Sequence, residues 1–244
     1  MEVLLLKKKG IKILIIFLVV FASVFAFVFF FGLSGLHLRK EAHDGQIKVA
    51  CVGDSVTYGH GVSLWHKNNY PAVLQNLLGD KYNVQNFGVS LSTVQSTGDY
   101  PYIKTHSYAP SIEYNADILI FMLGSNDSKP YNWTDSETFK QHYLNLLDSY
   151  TVGDHSPKIY LCTLARVYYK DVNQVSGEAA FSVQADIVDM MNIVIKEVAA
   201  ERGYKLIDIY SVTASDRSLF QFDYVHPNVN GANAIAKEVY KNIK

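Results

Sequence analysis

Neither sign of charge is in excess in this chain: 22 Lys and Arg stand against 23 Asp and Glu over 244 residues. There is no global basic field to attract nucleic acid, so that class of partner is excluded. Cysteine is scarce as well. Cys51 and Cys162 are the only two, and each sits inside an apolar run instead of in paired ligand spacing, which argues against a zinc site. Internal repeats and low-complexity tracts are absent too. Once the N-terminal segment is set aside, a single domain of roughly 200 residues is expected.

That N-terminal segment is the one long hydrophobic run. From Ile13 to Phe31, 19 positions, every residue is apolar except Ser23, close to the roughly 20 needed to cross a bilayer core as a helix. Lys7, Lys8, Lys9 and Lys12 precede the run, whereas the dozen residues after it carry only Arg39 and Lys40. Positive-inside bias then leaves the N-terminus in the cytoplasm and everything after Gly32 outside. The competing reading is a cleaved signal peptide and a secreted product. The run exceeds the roughly 7 to 15 residues of such a core, and no clear small-x-small site follows it. The expected organisation is a cytoplasmic basic stub and transmembrane signal-anchor over 1–32, a linker over 33–46 and a globular domain over 47–244. The expectation is a single-pass protein of the cell membrane with its domain outside, held within about 50 Å of the bilayer by the linker.

Val49 to Val52 form a short unbroken apolar run, which suits a strand covered on both faces. Gly53 ends it and leaves Asp54 and Ser55 where the chain turns. Asn69 and Pro71 open a helix with Tyr70, Val73, Leu74, Leu77 and Leu78 at three- and four-residue steps, closed by Gly79. Further strands are expected at Tyr82 to Phe87, Ala116 to Leu123, Lys158 to Leu164 and Lys205 to Ile209. Thr134 with Glu137 resembles a capping box ahead of a helix with Phe139, Tyr143, Leu146 and Leu147 on its apolar face. A long helix is expected from about Glu178 to Arg202, stopped by Gly203, and a last one from about Asn228. Strand and helix alternate five times, the pattern of an α/β fold with helices on both faces of a parallel sheet. The expected architecture is flavodoxin-like, a three-layer α/β/α domain with a five-stranded sheet in the order 2-1-3-4-5, preceded by the transmembrane helix. In that order the third strand separates Cys51 from Cys162 by about 9.5 Å. This exceeds the roughly 7 Å limit for a disulfide, so two buried free thiols are expected.

Ligands of open α/β sheets bind beyond the carboxyl ends of the strands. Three strand ends there carry Ser55, Gly88 and Asn126. A serine needs a base to take its proton and donors to hold the oxyanion formed when it attacks a carbonyl. A glycine N–H and an asparagine amide are both suitable donors. Singly, each of these is also an ordinary turn residue. Among the eight histidines, His226 lies between the fifth strand and the last helix, and Asp223, three residues before it, is near enough to orient its ring. His60 and the remaining six fall in linkers, loops or helix surfaces, where a solvated side chain is the ordinary outcome.

Taken together, four separated blocks resemble the SGNH (GDSL) hydrolase family of esterases and acylhydrolases. They are GDS at Gly53 to Ser55, Gly88 in NFGVS, GSND at Gly124 to Asp127, and DYVHPN at Asp223 to Asn228 with Gly231 behind it. The resemblance covers Lys48 to the C-terminus. It implies Ser55 as nucleophile, His226 as base and then acid, and Asp223 as the orienting acid. The oxyanion hole it implies is the N–H groups of Ser55 and Gly88 with the Asn126 side chain, and no metal or organic cofactor is implied. Many members carry a second glycine shortly after the glycine block, where this chain has Leu91 or Ser92, a departure that bears on the acyl pocket. Tyr131 and Trp133, beside Asn132, are candidate contacts for a sugar ring, and GSNDSKPYNW also resembles bacterial carbohydrate acetylesterases of the family. The expected function is a serine esterase removing O-acetyl groups from carbohydrate through an acyl-enzyme on Ser55. A lysophospholipase or lipase, an acetyltransferase to a cell-wall sugar, and a non-catalytic sugar-binding module are the alternatives, the last opposed by the intact Ser, His, Asp and Asn set.

Overall fold

The structure, a computed structural model, describes residues 20, 21, 23, 41–152, 156–168 and 180–244. The chain divides into Met1–Arg39 and Lys40–Lys244. In the first unit only Val20, Phe21 and Ser23 are described, and they are helical. The rest of the apolar run Ile13–Phe31 lies outside the described residues. Among the described residues no helix is long and apolar enough to cross a membrane.

In the second unit the apolar runs become β1 (Ile47–Gly53), β2 (Tyr82–Gly88), β3 (Ile118–Met122), β4 (Lys158–Cys162) and β5 (Lys205–Ile207). They form one parallel sheet in the order β2-β1-β3-β4-β5, as expected. Helices α1 (Ser55–Tyr58), α2 (Trp65–Asn68), α3 (Tyr70–Leu78), α4 (Tyr108–Glu113), α5 (Ser136–Asp148), α6 (Ala185–Arg202), α7 (Ile209–Ala214) and α8 (Val229–Ile243) accompany it. Side chains alternate across β1. Ala50 and Val52 face a core with Phe121 of β3, Phe139 of α5, and Val188 and Ile195 of α6. Val49 and Cys51 face a second core with Leu74 of α3, and Ile235 and Val239 of α8. Both faces of the sheet are therefore dry, which is why its strands read as unbroken apolar runs.

Local chemistry moves several expected boundaries. The side chain that caps α5 is Asp135, which accepts from Thr138 N, and not Thr134. The last long helix before β5 begins at Ala185; the expected start at Glu178 lies outside the described residues. β5 stops at Ile207 because Asp208 turns the chain into α7 by accepting from Ser211 N, where the sequence led us to expect strand through Ile209. Asn69 and Asn228 cap α3 and α8 as expected, each cap contributing about 1 kcal/mol.

Cys51 and Cys162 are buried and unbonded to each other. Cys51 pairs with Ile120 of β3, so that strand stands between them. Burial pushes the Cys51 thiol up to about 12, with a hydrogen bond from Tyr70 opposing, and raises Cys162 as well. Both remain thiols and unreactive. A disulfide reagent at about pH 8 should therefore leave the native protein unmodified and titrate both cysteines only after denaturant is added.

Candidate active site

The site begins at a close approach. A Cβ on Gly53 would stand 2.1 Å from Thr57 Oγ1 and 2.4 Å from Met122 O. Glycine alone lets α1 start directly at the end of β1. Asp54 caps that helix through Oδ1 to Val56 N at 3.0 Å, and Ser55 is its first residue. On the other side of the crevice, Phe220 to Pro227 form a loop before α8. In it Asp223 Oδ1 accepts from both Val225 N and His226 N at 2.9 Å, a turn that places Tyr224 at φ 59°.

These two segments bring the three expected residues together. His226 Nε2 lies 2.9 Å from Ser55 Oγ, and His226 Nδ1 lies 3.0 Å from Asp223 Oδ2. All three are buried. A carboxylate only accepts, so Nδ1 carries the ring proton and Nε2 is left to accept from the serine hydroxyl. Burial acts to raise the Asp223 carboxyl, but hydrogen bonds from the His226 ring and from the His226 and Val225 N–H groups outweigh it and hold the acid below its ordinary range. Asp223 is thus ionised whenever the imidazole takes a proton.

The donors are arranged differently from expectation. Gly88 N–H donates to Asn86 Oδ1 at 2.8 Å, and a Cβ there would lie 2.3 Å from Tyr58 N. Gly88 serves the packing of β2 against α1, and its N–H is already engaged. Three residues on, Leu91 lies in the left-handed region at φ 71°, a conformation that costs a non-glycine residue about 1 kcal/mol. It lines the cavity that holds Ser55, Asn126 and His226, and among the described residues its N–H meets no acceptor. Asn126 Nδ2 spends one hydrogen on Ser92 O at 3.1 Å and keeps the other.

That cavity has a volume of about 330 Å³. Val56, Leu91, Phe181, Val183 and Val225 give it apolar lining, and Ser90 and His60 add polar groups. The Phe181 ring meets that of His226 in a T-shaped contact, with 5.2 Å between centroids. Tyr131 and Trp133 are not among the lining residues. Trp133 packs into the core against Phe139 at 6.2 Å, its large apolar ring gaining more from that contact than from solvent. Tyr131 is exposed beneath the Lys129 ammonium. Asn132 between them is a latch, exchanging hydrogen bonds with Asp99 and accepting one from Gln95 at its carbonyl. Ser90, Phe181 and Val183 were missed by sequence reasoning, and His60 was read only as a loop histidine. For His60 a signal existed, in the glycines on either side of it. Among the described residues no group of His, Cys, Asp and Glu is placed to hold a metal ion.

A model of the GDSL-like lipase/acylhydrolase family matches residues 51–234. The chain belongs to this family. The expected class, a GDSL-type hydrolase of carboxylic esters, stands with that membership. Among relatives of the GDSL protein, an acetylxylan esterase of Xylanibacter ruminicola is 31% identical over 81% of the chain, which spans 43% of that relative's length. A protein of Bacillus subtilis named YpmR is 23% identical over 84% of the chain and 86% of its own. A carbohydrate acetylesterase family member from Sinorhizobium meliloti superposes with a TM-score of 0.59 at 20% identity, covering 80% of this chain and 96% of that one. The aryl esterase of M. smegmatis gives 0.64 at 17%, covering 81% and 98%. These two likenesses show the shared fold.

Beneath the crevice the GDSL protein buries a second acid. Asp127 accepts from Val94 N and Gln95 N at 2.9 and 2.8 Å and so braces the loop that follows Leu91. Burial pushes its carboxyl from 3.8 up to about 7, against those two hydrogen bonds. Between these values the folded protein holds a proton that the unfolded chain releases. The contribution is therefore fully present below about pH 4 and is lost as pH rises through about 7. Urea titrations across that window should show wild type losing stability with rising pH relative to Asp127→Asn, which has no such proton to lose.

Proposed function

We propose that the protein is a serine esterase acting on acylated carbohydrate, most simply on O-acetyl groups, through an acyl-enzyme on Ser55. The observation that carries this is the continuous Ser55–His226–Asp223 hydrogen-bond chain opening onto one cavity. Ser55 Oγ gives its proton to His226 Nε2 as it attacks the ester carbonyl, and Asp223 stabilises the imidazolium that results. Negative charge collects on the carbonyl oxygen, where the Ser55 N–H, the Leu91 N–H and the free hydrogen of Asn126 Nδ2 receive it. His226 then protonates the departing alcohol, and water repeats the sequence in reverse to release the acid. Sugar as the alcohol is supported by similarity to the acetylxylan esterase.

We assign the anchor to Ile13–Phe31, with the esterase domain facing out of the cell membrane, on the strength of the apolar run and the lysines before it. Secretion after cleavage is the alternative. A lipase or lysophospholipase is the second reading, favoured by the apolar lining of Leu91, Phe181, Val183 and Val225 around the serine. Transfer of the acyl group to a wall sugar is the third, since an alcohol can replace water in the second half-reaction.

Ser55→Ala and His226→Ala should each lower kcat for an aryl acetate by roughly 10⁴-fold, measured on purified protein; turnover unchanged in either would remove the mechanism. A panel of acyl lengths checks the substrate reading. Rates falling from acetyl to octanoyl are expected, and the opposite trend would establish the lipase reading instead.

A further inference from the structure

The cavity contains one imidazole that this mechanism leaves unused. His60 lies between Gly59 and Gly61, both in the left-handed region at φ 91° and 68°. A Cβ on Gly59 would come 2.5 Å from Asn69 Cβ, and one on Gly61 would come 2.2 Å from Gln221 Oε1. The two glycines therefore fix a tight turn that presents the residue between them. Its backbone is tied at both ends. His60 N–H donates to Ser55 O at 2.9 Å, and His60 O accepts from Gln221 Nε2 at 2.7 Å. Gln221 in turn holds Pro227 O and, through its N–H, His226 O. The His60 ring is thus held in register with the nucleophile and with the base, 4.7 Å from the His226 ring between centroids.

Position decides what this ring meets. The alcohol oxygen of the ester must reach His226 Nε2, because that atom supplies its proton. The carbon next to that oxygen then comes within reach of His60. The His60 side chain is exposed at the rim of the cavity; what burial it has lowers its pKa, the His226 charge lowers it further and Asp223 opposes, and the neutral ring offers one donor and one acceptor. The neighbouring lining at Val56, Leu91 and Val225 offers neither from its side chains. A sugar ester carries a hydroxyl on the carbon beside the esterified one, and a simple alkyl or aryl ester does not.

We propose that His60 binds the hydroxyl vicinal to the ester oxygen and thereby selects polyol esters, a role that rests on the carbohydrate-ester reading above. The test compares kcat/KM for a methyl xyloside bearing one acetyl group beside a free hydroxyl with that for its deoxy counterpart. In wild type the hydroxylated ester is favoured. His60→Phe lowers that ratio by about 3- to 10-fold, the worth of one hydrogen bond at a solvent-accessible rim, and His60→Asn, which keeps a donor and an acceptor, restores part of it. A ratio that His60→Phe leaves unchanged, in a protein that cleaves the xyloside, overturns the assignment of His60 alone. Wild-type protein that cleaves an aryl acetate but neither xyloside overturns the carbohydrate reading, and this inference with it.

Discussion

The missing side chain at Gly53 is the constraint on which the rest of the crevice depends. Thr57 and the Met122 carbonyl occupy the space a Cβ would need, so α1 starts within two residues of the strand end and lifts Ser55 above the sheet. A methyl group there would move α1 away from β3. Ser55 would then shift relative to every partner, because those partners are carried by other strands. A dry sheet and a sharp exit from its central strand are two aspects of one packing arrangement, since the apolar faces that hold β1 in place also fix where its helix can go.

Two separately built walls face the serine. The first is knitted from the loops after β2 and β3. Asp127 holds Val94 and Gln95, Asn132 holds Asp99 and Gln95, and Asn126 holds Ser92. Leu91, at the head of this knitted segment, adopts an unfavourable φ that the surrounding bonds can sustain. The second wall is the loop of Asp223 and His226, folded on itself by the two N–H groups that Asp223 Oδ1 accepts. Gln221 joins this wall to the turn beyond α1, its carboxamide donating to both His60 O and Pro227 O.

Legibility in the sequence followed the physics of each feature. Strands with two dry faces announce themselves as apolar runs, and β1 and β3 were read correctly for that reason. Helices of four to six residues, such as α1, α2, α4 and α7, are too short to show a period. Ser55, His226, Asp223 and Asn126 were singled out because their side chains carry distinctive chemistry, and the structure gathers them at one crevice. Leu91, which we propose as a donor, drew no notice because what it offers is a main-chain N–H, which every residue but proline has. Gly88 was chosen for the same group, and the reason for glycine there turned out to be the closeness of Tyr58. Trp133 looked available because it follows a functional turn, yet sequence order does not say which way an indole points. His60 does lie exposed in a turn, as expected of a loop histidine; the paired glycines around it mark the backbone path that brings it to the cavity.

Asp223 and His226 lie three residues apart on one loop, while Ser55 lies 171 residues upstream of the histidine. The Asp223–His226 unit is assembled locally, but Ser55 has no proton acceptor until β5 and the segment after it have been laid against the sheet. During synthesis from the N-terminus, the serine is therefore chemically silent through most of elongation. Its hydrogen bond to His226 forms only when the domain closes, so that one contact reports the completion of the fold itself.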